Sequence, residues 1–285
     1  MKKSVSLLPT VIFAVALLIA LPLRMLQYKN NIEGGTGFYI NIDAAVIVFY
    51  AVLAAAFVAI FVLTTANRKN MVLDCSEKRN VIFGIVALIC AILCVYGGIS
   101  DFLAPVSTEP PVYTVTTTSA ALLVSLNKSA AVCEILSGIY FALSGAMFIS
   151  GKGCGEMFKI LSLFPAIRCA IRLIARFTRT VSYIRVSDLF LEMLMLACFA
   201  LFFMAYAQNN SKVNGEGTES KLMLFGLSGA LLGFVVAVPR LVLVITGNEN
   251  LMYELSAFEI SDLALALFSV VTVAGRIINK EKSEA

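Results

Sequence analysis

Arginines at 168, 172, 176 and 179 stand four, four and three residues apart. On a helix that spacing gathers them into one stripe. Asp188 and Glu192, at i and i+4, make an acidic stripe at the start of the next apolar stretch. Ionisable side chains inside apolar spans are costly; they face a protein interior or water and mark function by default. A guanidinium offers planar, paired N–H donors that fit carboxylates and phosphates. The chemistry on offer is recognition of a small anionic or zwitterionic solute, or of a lipid headgroup, in a polar pocket. The alternative is structural, with each pair acting as a clamp between helices.

Further charges join this group. The basic set is Arg24, Arg168, Arg172 and Arg240, and the acidic set is Asp43, Glu134, Asp188, Glu192, Glu259 and Asp262. Arg168, Arg172 and Arg240 are expected to engage the anion of a ligand, with Asp188 and Asp262 orienting them. Arg24, Asp43 and Glu192 complete the expected ligand-binding set. Sequence proximity pairs Arg168 with Asp188 or Glu192, Arg24 with Asp43, and Arg240 with Asp262. Glu134 has no evident basic partner nearby, so a low-dielectric site would raise its pKa and make it a candidate proton carrier.

The composition narrows the chemistry. Of 285 residues, 60% are hydrophobic and 14% charged, with no His and no Trp. A soluble domain carries about a quarter charged residues, so this chain needs lipid as its solvent. The absence of His removes His-based metal sites, His acid–base catalysis and His-ligated haem. No Ser/His/Asp set, Cys/His pair or zinc-protease motif can be formed, and no catalytic residue, metal or cofactor is expected. Asp188 and Asp262 could meet as an acid pair, but neither lies in a protease motif. A net charge of +4 is too small to argue for nucleic acid. The seven cysteines include no C-x-x-C and read as reduced, apolar space-fillers.

These charges need elements to position them. Eight stretches reach the roughly 20 residues that cross a bilayer. They are about Val5–Leu26, Ile42–Leu63, Val81–Gly98, Ala130–Ser150, Met157–Ala175, Asp188–Ala207, Leu222–Ile245 and Ile260–Ile277. The first is too long for a signal-peptide core and reads as a retained span. The prediction is an all-α polytopic transmembrane helical bundle of about eight spans. It forms one integral membrane domain over 1–285, arranged as four helical hairpins at about 5–63, 81–150, 157–207 and 222–277. Lys and Arg placement puts both termini in the cytoplasm. A rival arrangement lays the fifth segment on the membrane surface as a basic amphipathic helix, and charge counting does not separate the two.

An internal repeat favours the spanning arrangement. Proline then arginine recurs in Leu21–Arg24, Phe164–Arg168 and Val238–Arg240, and each is followed after a short connection by an Asp: Asp43, Asp188 and Asp262. The hairpin of spans three and four lacks this element, and the longer segment Asp101–Lys128 replaces its short loop. Within it, Ser119–Leu126 is apolar enough to dip into the membrane or lengthen the fourth helix. Small residues supply close-packing faces: Gly229 and Gly233, Ser137-Gly138 with Ser144-Gly145, and Ala51, Ala54, Ala55 and Ala59 of the second span. Gly151–Gly155, G-K-G-C-G, lacks the spacing of a phosphate loop and reads as a tight turn.

The runs F-P-A-I-R-C-A-I-R-L-I-A-R-F and V-S-D-L-F-L-E-M-L-M-L resemble a group of uncharacterised multi-pass proteins of Gram-positive anaerobic bacteria. The resemblance covers spans five and six. It brings no activity and implies only a bacterial cytoplasmic-membrane setting.

Overall fold

The computed structural model describes residues 4–33, 37–66, 80–104, 117–151, 156–178, 187–211, 217–252 and 259–284. The described chain is all helical: α1 (Ser4–Asn30), α2 (Ala44–Ala66), α3 (Val81–Leu103), α4 (Thr117–Ser150), α5 (Glu156–Leu161), α6 (Phe164–Thr178), α7 (Ser187–Asn210), α8 (Thr218–Ile245) and α9 (Ile260–Glu284). Seven of these, all but α5 and α6, are long and apolar enough to cross a membrane. That is the make-up of a multi-pass membrane protein.

The expected fifth span differs. It is broken at Ser162–Leu163 into a 6-residue helix and a 15-residue helix. Pro165 explains the break, because it lacks an N–H and fits the first turn of a new helix rather than the interior of a continuing one. Pro22 and Pro239 behave differently, lying inside α1 and α8 close to their C-terminal ends. The three proline–arginine elements therefore sit at different places in their helices: at the start of α6, but inside α1 and α8.

Helix α8 is the axis of the bundle, touching α1, α2, α7 and α9. Its contact with α7 runs through small residues: a side chain built at Gly229 would meet the Phe199 ring at 2.9 Å, and one at Gly233 would meet Ala266 of α9 at 2.8 Å. Phe199, Phe202, Phe203 and Phe268 fill the centre with no exposed surface. Helices α3 and α4 approach closely through Gly84, Gly98, Gly138 and Gly145; a Cβ at Gly145 would lie 2.8 Å from the Gly84 carbonyl oxygen. Gly145→Val should therefore cost about 1–3 kcal/mol through forced separation of the two helices. A lowered thermal midpoint in detergent would register it.

Two local expectations resolve here. Residues 117–126 lengthen the fourth helix, since α4 begins at Thr117. The alanine face of α2 is not its packing face: Ala51, Ala54 and Ala55 are exposed, and Phe49, Leu53, Ala56 and Ile60 turn inward. In a helix apolar all round, periodicity cannot choose the buried side. The turn at 152–155, Cys75 and Cys154 lie outside the described residues. Cys90, Cys94, Cys133, Cys169 and Cys198 are free thiols.

Candidate functional site

Helix α6 is amphipathic in an inverted sense. Its arginine face is buried, with Arg168 at 0% exposure, Arg172 at 8% and Arg176 at 7%. Its apolar residues Ile167, Ile174 and Phe177 point outward. A helix lying on a membrane surface would do the opposite, burying isoleucine in lipid and wetting arginine. Here α6 packs between α4 and α7 with its guanidinium groups inside the bundle.

Each guanidinium meets a carboxylate. Arg168 Nε lies 2.9 Å from Glu134 Oε2 on α4. The same guanidinium donates to Ser261 Oγ at 2.7 Å and reaches Asp262 at 3.5 Å. Arg172 pairs with Glu259 and, at 3.3 Å, with Asp262. Arg176 bonds Glu192 of α7 at 2.5 and 2.8 Å. The other oxygen of Glu192 takes Arg240 of α8 at 3.3 Å. Arg24 of α1 pairs with Asp188 of α7, whose carboxylate also accepts from the Tyr28 hydroxyl at 2.8 Å. Arg24 further donates to Gln27 Oε1 at 2.7 Å.

Five arginines thus face five carboxylates across six helices: α1, α4, α6, α7, α8 and α9. Helix polarity favours some of these placements. Asp188 and Asp262 lie in the first turns of α7 and α9, and Arg176 lies in the last turn of α6. Acids at helix N-termini and bases at C-termini are each favoured by the backbone dipole, typically by about 0.3–1 kcal/mol. These three members are therefore stabilised by the helix ends as well as by their ion pairs.

The structure corrects every pairing expected from proximity in sequence. Arg24 pairs with Asp188, not Asp43. Arg168 pairs with Glu134, Glu259 and Asp262, not with Asp188 or Glu192. Arg240 pairs with Glu192, not Asp262. Asp43 stands apart: it is exposed and accepts from the Val46 N–H at 3.2 Å, starting α2 as a cap. Hydrogen bonds from the Asn31 side chain and then the Val46 backbone hold its carboxyl below the ordinary carboxylate range. Glu134 does have a basic partner, Arg168, so the reason for singling it out as a proton carrier falls away.

Five participants were missing from the expected ligand-binding set: Arg176, Glu259, Gln27, Tyr28 and Ser261. Arg176 was visible as the third member of the arginine stripe. Glu259 was visible as an acid three residues before Asp262. The other three are uncharged and carry no sequence signal.

The network is most open at one point. The Glu259 side chain is 17% exposed and the Arg172 and Arg176 side chains 9% each, while the other members are at 3% or below. Inside, Arg168 NH1 and Glu134 Oε1 are buried without a hydrogen-bond partner. Glu134 Oε1 sits against Gly97 of α3, where a Cβ would approach it to 2.8 Å. Among the described residues no cluster of His, Cys, Asp and Glu could hold a metal ion.

No protein-family model, no curated protein and no solved structure matches this chain.

Proposed function

We propose that this multi-pass membrane protein binds, and carries across the bilayer, a small zwitterionic solute at the ion-pair network. One observation carries the reading. Within a site of five arginines and five carboxylates, buried donors (Arg168 Nε and NH1, Arg240 Nε) and buried acceptors (Glu134 Oε1, Glu259 Oε2) make no hydrogen bond. A solute bearing both a carboxylate and an ammonium group serves both kinds without changing the charge balance. A simple anion would meet five carboxylates along with the five arginines, and like charges in a low dielectric repel strongly. Glu259, Arg172 and Arg176 form the exposed edge through which such a solute would enter. A bacterial cytoplasmic membrane is the setting proposed for it, with the broken α5–α6 segment completing an eighth crossing and both termini on the cytoplasmic side.

The test is ligand-dependent thermal stability of the purified protein in detergent. Glycine and other neutral amino acids should raise the midpoint, and inorganic phosphate and succinate should not. A ligand at a hundred times its Kd contributes about 2.7 kcal/mol. Glu259→Gln leaves the site one positive charge in excess, so its preference should move towards the anions. If anions alone stabilise the wild type, the charge-balance argument fails.

A second reading is a non-transporting scaffold or accessory subunit. It is favoured by the pairing of all five arginines, which ties six helices together. Under it, no solute moves the midpoint, while neutralising any network member lowers it.

A further inference from the structure

The outer face of α3 and α4 carries a groove of about 490 Å³, lined by Ile92, Tyr96, Gly138, Ile139 and Leu143 among others. It shares no residue with the ion-pair network. The volume falls within the range of small-molecule sites, but the lining is almost wholly apolar, so the occupant must be hydrocarbon. Above it stands Lys128 of α4, whose ammonium lies 5.9 Å from the Phe102 ring of α3. Lys128 is exposed and has no carboxylate partner among the described residues. From Lys128 the exposed apolar side chains Phe102, Ile99 and Val132 lead to Tyr96 and Ile139.

The distance fits a lipid. Lys128 precedes Ile139 on one continuous helix, a rise of about 16 Å, close to half of a 30 Å hydrocarbon core. A cation at the headgroup level with an apolar track descending to mid-membrane matches one phosphate with one acyl chain. We propose that this face is a specific glycerophospholipid site, with the phosphodiester on Lys128 and an acyl chain in the α3–α4 groove.

Native mass spectrometry of the protein released from mixed vesicles tests this. The vesicles contain dioleoyl phosphatidylglycerol and, in a second arm, dioleoylglycerol, which has the chains but no phosphate. The wild type should retain one phosphatidylglycerol and no dioleoylglycerol. Lys128→Gln should weaken retention about tenfold, the size of one charge-assisted hydrogen bond. Ala142→Leu, which fills the groove, should weaken it comparably while the thermal midpoint in detergent is kept. Lys128→Gln changes an exposed side chain, so its result stands even if Ala142→Leu fails to fold. Retention unchanged in Lys128→Gln, or equal retention of dioleoylglycerol, overturns the assignment. So does a dimer cross-linked through cysteines placed at Ile92 and Ile139, because a second copy would then occupy the groove.

Discussion

Arg168→Gln is expected to be among the most damaging single substitutions in this protein, costing about 3–5 kcal/mol. Arg168 has no exposed surface and stands among Glu134, Glu259 and Asp262, with Ser261 accepting one of its hydrogen bonds. Removing the cation leaves Glu134 as a buried charge with no cationic partner, and that exposed imbalance is the larger part of the penalty. The companion variant Glu134→Gln has the mirror effect on Arg168, softened because Asp262 and Glu259 remain. The double variant should therefore be more stable than the sum of the two single changes by at least about 1 kcal/mol. Detergent or SDS unfolding of the four proteins measures the cycle. Additive behaviour would mean that the two groups do not interact.

The second large effect separates two possible partners of Arg24. Asp188→Asn should cost about 3–5 kcal/mol, because it leaves Arg24 buried without its carboxylate and weakens the Tyr28 hydrogen bond. Asp43→Asn should leave stability unchanged, because Asp43 is exposed and asparagine caps a helix as well as aspartate does. Side-by-side thermal unfolding of the two variants decides the matter. The opposite ranking would restore the pairing within the first hairpin and undo the network described here.

Much of the fold is legible in the chain itself. Sustained apolar runs long enough for lipid leave few alternatives to helices, and seven of the eight expected spans are long apolar helices. The fifth is two helices rather than one, because Pro165 opens a new helix where an apolar run by itself suggests a continuous one. The small-residue contacts at Gly138, Gly145, Gly229 and Gly233 were legible because close backbone approach leaves little room for larger side chains. The face of α2 was not, since nothing in a uniformly apolar helix distinguishes lipid from protein.

The candidate site divides in the same way. Its cast of charges follows from covalent identity: ionisable side chains set in apolar stretches must be buried together and compensated. The partners do not follow. Which acid meets which arginine depends on how helices far apart in sequence lie side by side. Arg24 and Asp188 belong to α1 and α7, and Arg168 reaches across to α4 and α9. The chain alone thus determined which charges must compensate each other, because burial in apolar surroundings leaves them no water. Only the tertiary packing decided the bookkeeping of pairs, because electrostatic attraction depends on distance through space and is indifferent to distance along the chain.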